Sequence, residues 1–391
     1  MALVYGDLHI HIGRTKEGKA VKITASPALT LENIIRAAEQ KGLRLVGIVD
    51  AACRGVLEEL WALANTQILQ PIPDGGYRWG KVTIFLGSEV EIACGQGRAA
   101  HFLGFFPSLQ AVQEYTSLIW PAVTNSHLST QRLKMDADSW LQAVLACGGV
   151  AVAAHAFTPH KGVYGSCVRR LGEMFRNPEL IVGLELGLSA DTSMALGISD
   201  THRQAYLANS DAHSPGTIAR EFTAYDLPNI SFRAWRDALM NGGKGVAAVH
   251  GMDPRLGKYY RSFCSHCMLL AAGDDAVLAC PQCGRKMITG VWDRVREIAD
   301  CRGQAPRKPP YQVHIPLAML PGVGPITYGK LLREVGTELE ILYHASLDEI
   351  SRAAGEQTAS CIRKFREGRF HIQPGGGGRY GKVTWKVTQT Q

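Results

Sequence analysis

Asp7-Leu8-His9-Ile10-His11 decides how this chain is read. Residues two apart on an extended strand face the same side, so His9 and His11 present two imidazoles to one ion while Leu8 and Ile10 face a core. The segment lies in a β-rich run from Leu3 to Ile12. Similar runs recur at Leu45 to Val49, Val82 to Ile92, His101 to Phe106, Val150 to Ala154, Ile181 to Leu186 and Ala205 to Asn209. Helical patterns at Leu31 to Lys41, Ser139 to Ala146 and Phe232 to Met240 separate several of them, the first opened by Thr30 with Glu32 in its first turn. Alternating strands and helices over about 250 residues predict an α/β barrel, whose chemistry belongs at the C-terminal ends of the strands.

Acids and histidines fall near those ends. Asp50 follows Leu45-Val46-Gly47-Ile48-Val49, Glu89 lies in Gly87-Ser88-Glu89-Val90-Glu91, and His101 opens the next run. His155 ends Val150-Ala151-Val152-Ala153-Ala154, and Asn209-Ser210-Asp211-Ala212-His213 supplies a second same-face pair. Mixed imidazole and carboxylate donors suit two or three divalent ions such as zinc, magnesium or manganese. His9, His11, Asp50, Glu89, His101, His155, Asp211 and His213 are therefore the expected ligands. Glu185, in Gly183-Leu184-Glu185-Leu186-Gly187, is expected either to orient a ligand or to hydrogen-bond a substrate. His127, His202, His250, His266, His314, His344 and His371 lack such a setting and are read as ordinary side chains.

The chain has 391 residues, enough for two or three domains, and a formal charge of +7. Residues 1–250 carry 22 basic and 22 acidic side chains, whereas residues 251–391 carry 20 and 13, so the whole excess sits in the last third. A polyanion is the natural partner for such a region. The longest nearly apolar run, Ala143 to Ala154, is shorter than the roughly 20 residues of a membrane helix, and the N-terminus lacks a signal-peptide pattern. A cytoplasmic protein without a membrane partner is expected. There the ten cysteines are poor disulfide candidates, and any patterned group of them points to metal.

Cys264-Ser265-His266-Cys267 and Cys280-Pro281-Gln282-Cys283-Gly284 form such a group. Two Cys-x-x-Cys knuckles at this separation can place four thiolates tetrahedrally around a structural zinc. Cys94, Cys147, Cys167, Cys301 and Cys361 are read as ordinary thiols. After a connector from Cys301 to Pro310, the stretch Leu320-Pro321-Gly322-Val323-Gly324-Pro325 opens an amphipathic helix carrying Lys330, Leu331 and Leu332. This resembles a helix-hairpin-helix motif, in which Gly322 and Gly324 would bring backbone N–H groups to a nucleic-acid phosphate and Lys330 would add charge. Gly375 to Gly378 are either a tether or a close-approach loop. The expected domains are a barrel at 1–250, a zinc module at 251–300 and a DNA-binding region at 311–391.

On His9 and His11, Asp50, Glu89, His101, His155, and Asp211 with His213, the sequence resembles the polymerase and histidinol phosphatase (PHP) superfamily. That resemblance implies a PHP-type distorted (β/α)7 barrel with up to three metal ions that hydrolyses phosphoesters. One departure stands out: the usual Asp-His reads Asp50-Ala51-Ala52-Cys53, so one ligand is missing, and Cys53 is a candidate replacement. Within the superfamily the whole chain resembles the endonuclease Q family, on Gly183 to Thr192, Asn209 to Pro215 and Ala154 to Pro159. That resemblance implies a metal-dependent DNA-repair endonuclease cutting 5′ to deaminated bases (deoxyuridine, deoxyinosine, deoxyxanthosine) or abasic sites, with Asp211, His213 and His155 as catalytic residues. A lesion pocket is expected in the loop Thr158 to Tyr164, with His160, Lys161 and Tyr164 touching substrate. A replication clamp is a candidate recruiter. The competing readings are a DNA-binding protein on a degenerate barrel and a phosphatase for a small phosphoester; the second leaves the basic last third without a use.

Overall fold

A computed structural model describes residues 3–240, 242–301 and 303–385. Its main sheet contains β1 (Val4–Ile10), β2 (Leu45–Ile48), β3 (Val82–Ala93), β4 (Ala99–Phe106), β5 (Val150–Ala153), β6 (Ile181–Glu185), β7 (Ala205–Leu207), β8 (Phe222–Tyr225), β9 (Val246–Gly251) and β10 (Tyr311–Val313). Their order is β10-β9-β8-β1-β2-β3-β4-β5-β6-β7, with a short hairpin from Gln70–Pro71 and Tyr77–Trp79 on the β3 side. β1, β2 and β3 run parallel, as do β5, β6 and β7. The α/β barrel expected from the alternation is present as a curled sheet whose closure is irregular. Beyond β7, the Thr223 hydroxyl of β8 accepts from the Ala208 amide (3.0 Å) and donates to the Ala208 carbonyl (2.9 Å), so a side chain replaces a ladder at the seam.

The strictly alternating reading fails in several places: single turns alone join β5 to β6 and β7 to β8, and β3 to β4 has no helix at all. β3 and β4 form an antiparallel hairpin without a helix between them, pairing Glu91 with His101 and Glu89 with Leu103. Because the ladder runs antiparallel, the end of β3 and the start of β4 reach the same mouth of the barrel, which is how Glu89 and His101 meet. Around the sheet lie α1 (Leu31–Lys41), α2 (Arg54–Asn65), α3 (Leu109–Ile119), α4 (Ala137–Ala146) and α5 (Phe232–Met240). Thr30 caps α1 by accepting from the Asn33 amide, and Gly42, at φ +94°, ends it in a left-handed turn.

The last third is built onto the barrel. β10 pairs in parallel with β9, placing Val249 beside Tyr311. α6 (Val291–Ile298) buries Val291, Val295 and Ile298 against the barrel core. The cysteine module is a small apolar cluster around Cys264, Ala271, Cys280 and Met287. A third cluster, centred on Leu317, Leu331, Ile341, Ile350 and Ile362, unites α7 (Pro325–Glu334), α8 (Glu338–Tyr343), α9 (Leu347–Ala354) and α10 (Glu356–Arg366). A buried ion pair, Lys41 Nζ to Glu338 Oε2 at 2.7 Å, fastens this helical region to α1. Only a single turn, Leu317–Met319, precedes the Gly322-Val323-Gly324 hairpin, so the motif lacks a full first helix. Among the described residues no helix is long and apolar enough to cross a membrane.

Candidate metal centre and nucleic-acid cleft

Two short segments bring the ligands together. His9 lies near the end of β1 and His11 just beyond it, and Asp211-Ala212-His213 lies alongside, because the His11 amide donates to the Ala212 carbonyl (3.2 Å) and the Ala212 amide to that of His9 (3.0 Å). Two candidate groups result: His9, His11 and Asp211, and Glu89, His101 and His155. Glu89 joins them. Its Oε1 faces His9 Nε2 (3.4 Å), His101 Nδ1 (3.0 Å) and His155 Nε2 (3.5 Å), while Oε2 faces His11 Nε2 (3.3 Å). Asp211 Oδ1 stands 3.5 Å from Nε2 of both His9 and His11.

These separations match donors sharing an ion, since ligands about 2.1 Å from a tetrahedral metal lie about 3.4 Å apart. His9 Nε2 and His11 Nε2 are buried without a hydrogen-bond partner, an arrangement costly unless a cation takes their lone pairs. The residues fit divalent metal ions. His155 and Asp211 hold left-handed φ values of +29° and +47°, backbone strain of the kind that collects at functional sites.

Further groups fix the ligands. Glu185 Oε2 accepts from His9 Nδ1 (2.9 Å) and from the His155 amide (3.1 Å), while Oε1 accepts from Asn209 Nδ2 (2.7 Å). Asp50 accepts from His11 Nδ1 (3.0 Å), the Ile12 amide (2.6 Å) and the Ser129 hydroxyl. Asp50 spends its oxygens on orienting His11 and falls outside both candidate ligand groups, and Glu185, 2% exposed, has both oxygens engaged with His9, His155 and Asn209. Cys53 lies buried at the start of α2, outside both ligand groups, and burial pushes its thiol well up, so it does not replace the missing histidine.

The electrostatics follow from this crowding of opposite charges. Burial alone would lower the His9 and His11 pKa values, but Glu185 and Asp211 hold His9 well above the ordinary range, and Asp50 and Glu89 bring His11 to about 10. Burial likewise opposes ionisation of Glu89 and Asp211, yet His101 with Lys22, and His9 with His11, keep their carboxyls well below it. His213 differs: its Nδ1 donates to the Asp211 carbonyl (2.9 Å), burial lowers its pKa, and its ring packs edge-on against His11. It stands beside the ligand groups, not within them.

The centre opens into a cleft of about 760 Å³ walled by parts of the chain far apart in sequence. His160 and Lys161 line it, Lys161 bonding Glu91 Oε2 at 2.7 Å. Tyr164 does not: it is fully buried, stacks on Phe157 and donates to Asp200 Oδ2 (2.7 Å), so its expected substrate contact is withdrawn. Sequence reasoning missed Lys22, Glu91, Arg220, Lys258, Tyr259 and Tyr380, all on the cleft. Glu91 alone had a signal, standing two residues from Glu89 on one strand.

Gly375 to Gly378 form a close-approach loop. The Gly375 amide donates to the Arg255 carbonyl (2.8 Å), a Cβ at Gly376 would collide with Leu270, and one at Gly377 would crowd the Phe263 ring. This packing brings Tyr380 to the cleft, where Lys258 lies over the rings of both Tyr259 and Tyr380.

The four cysteine sulfurs lie within 4.8 Å of one another, with Cys264 and Cys283 3.8 Å apart, the spacing of thiolates about 2.3 Å from a shared tetrahedral metal. One cysteine expectation is overturned: Cys94 and Cys167 form a disulfide, their Cα atoms 5.9 Å apart. The fold folds the 73-residue interval back on itself, which spacing along the chain does not reveal. Gly322 (φ +96°) and Gly324 shape the hairpin before α7; Gly324 has open space where a Cβ would stand, and Lys330 is exposed.

No family model matches the chain. It is 39% identical over 393 aligned positions to the uncharacterized protein YqxK of Bacillus subtilis (strain 168), covering 98% of this chain and all of that one. The lesion-specific endonuclease PfuEndoQ from Pyrococcus furiosus has a similar structure, with a TM-score of 0.82 and 32% identity over 99% of this chain and 96% of its own. An endonuclease Q bound to a 27-mer duplex with an abasic lesion at its active site gives a TM-score of 0.83 at 32% identity, covering 99% and 97% of the two chains. With that identity sustained over nearly the full length of both chains, this chain belongs to the endonuclease Q family.

Proposed function

We propose that this protein is a metal-dependent DNA-repair endonuclease that hydrolyses the phosphodiester 5′ to a deaminated base (deoxyuridine, deoxyinosine or deoxyxanthosine) or an abasic site. The observation that carries this reading is the pair of ligand groups joined through Glu89 at the floor of a cleft lined with cations and aromatic rings. A relative of similar structure holds an abasic-lesion duplex at its own active site, which supports the same substrate class here.

Divalent ions at the two groups would supply a low-pKa water and neutralise charge developing on the phosphate. Asp211, His9 and His11 would hold one such ion, and Glu89, His101 and His155 the other. Glu185 and Asp50 keep the His9 and His11 rings turned so that Nε2 faces inward. His213, its Nδ1 committed to a carbonyl, keeps Nε2 free to take a proton beside Asp211. Lys258, Lys161 and Arg220 line the path of a phosphate backbone. Tyr259, in edge contact with His160 at 5.0 Å, and Tyr380 offer stacking faces for an unpaired base leaving the duplex. Gly322, Gly324 and Lys330 form a second, sequence-independent grip on the backbone.

The cysteine module takes a structural zinc in this reading, because a closed four-thiolate site suits that ion and leaves no open position for chemistry. The chain divides functionally into a catalytic barrel at 1–250, the zinc module at 251–300 and the helical grip at 311–391, of which 386–391 lie outside the described residues.

The test is a 5′-labelled duplex with a single deoxyuridine, incubated with the protein and Mg²⁺ or Mn²⁺. A nick on the 5′ side of the lesion, leaving a 3′-hydroxyl on the labelled strand, is expected. An intact strand under both metals overturns the reading, and turnover of a chromogenic phosphomonoester without DNA redirects it to a small-molecule phosphatase.

A further inference from the structure

Lys22 has no part in either ligand group, yet it is the cation packed most tightly against them. Its side chain is 13% exposed, with Nζ 3.0 Å from Glu89 Oε2 and hydrogen-bonded to the Thr130 hydroxyl. Thr130 in turn donates to the same Glu89 oxygen (2.6 Å), and Ser129, in contact with Thr130 at 2.9 Å, donates to Asp50. The backbone is equally fixed: the Lys22 amide donates to the Ile12 carbonyl (2.9 Å) and the Ser129 amide to that of Val21 (3.0 Å). The ammonium is thus built into the network that orients His11 and Glu89.

Lys22 lines the cleft together with Asp211 and His213. An ammonium has three N–H donors, and among the described residues two are taken, by Glu89 and Thr130. The third remains for a ligand.

On the metal-dependent reading given above, we infer that Lys22 is a catalytic residue that donates a hydrogen bond to a non-bridging oxygen of the scissile phosphate. Its charge does not depend on metal supply. The phosphate is bound between the ions and this ammonium, and negative charge gathering on that oxygen meets a donor already in place.

The experiment combines metal counting with single-turnover incision on the full chain. Mass-spectrometric metal analysis of wild type at saturating Mn²⁺ is expected to give about two ions beyond the one held by the cysteines. Lys22→Ala should keep that count while the incision rate at saturating DNA falls roughly 10²-fold with DNA affinity little changed, and Lys22→Arg should recover most of the rate. Lys22→Met, which keeps the stem, provides the same contrast if the alanine variant folds poorly. Undiminished incision by Lys22→Ala and Lys22→Met, or loss of barrel ions in step with rate, would each overturn the inference. Absence of any barrel ion from wild type would instead defeat the metal reading on which it rests, and the inference with it.

Discussion

Glu185 Oε2 sits 2.9 Å from Nδ1 of His9 and also takes the amide of His155, so one carboxylate at the end of β6 sets the attitude of a residue from each ligand group. Asn209 holds its other oxygen. Replacing Glu185 with Ala frees the His9 ring to turn and to adopt either tautomer. Metal affinity at the barrel should fall by about 10- to 100-fold, as is usual when an outer-shell partner is removed. Titration against a competing chelator measures this; unchanged affinity would return Glu185 to the role of a substrate contact.

The helical region is locked to α1 by Lys41 and Glu338, whose carboxylate also accepts from the Tyr328 hydroxyl (2.7 Å) and the Leu317 amide (3.0 Å). Lys41→Ala leaves a buried charge without its partner and should destabilise the chain by about 3–5 kcal/mol. Replacing both residues with apolar ones of similar size should recover much of the loss. Denaturant unfolding of the two variants decides between this and a dispensable contact.

Glu221 provides a pH signature. Burial pushes its carboxyl up to about 8, with the Met252 amide and Arg220 pulling the other way, and its Oε2 has no partner. The folded state therefore keeps the proton while the unfolded chain, near the ordinary 4.5, releases it. Stability contributed by this group is present at and below the unfolded value and is lost as pH rises toward about 8. Glu221→Gln removes that slope, so its Tm should gain on wild type between pH 5 and pH 8. Parallel Tm curves would contradict the assignment.

Tyr259 and Tyr380 reach the cleft from segments more than a hundred residues apart in sequence. If they stack against an unpaired base, Tyr259→Ala should cost roughly 1–3 kcal/mol of affinity for a deoxyuridine duplex, and less for an abasic duplex that has no base to stack. Fluorescence anisotropy on both duplexes reads the difference. Equal losses would place Tyr259 on the DNA backbone.

How legible the site was depends on which physical rule set each residue. His9 with His11, and Asp211 with His213, were readable because strand periodicity puts both members of each pair on one face. Ligand and orienter could not be separated the same way: Asp50 follows one apolar strand and Glu89 lies within another, and only the donors packed around Asp50 show that its oxygens are spent. Lys22 and the Cys94–Cys167 pair left no trace in local spacing, since tertiary contacts alone make them neighbours. The β3–β4 hairpin was hidden by the expectation of a helix between successive strands, although Gly95 and Gly97, both at positive φ, mark the turn. The glycines at 375–378 were ambiguous because the same composition serves a free tether and a tightly packed loop.

Incision of a duplex carrying one abasic site, by wild type and by Asp211→Asn under the same saturating Mn²⁺, tests the account most directly. Wild type should nick the lesion strand on its 5′ side, and the variant, which keeps the shape of Asp211 but loses its charge between His9 and His11, should be slower by roughly 10²-fold or more. Equal nicking by both proteins, or none by either, would contradict it.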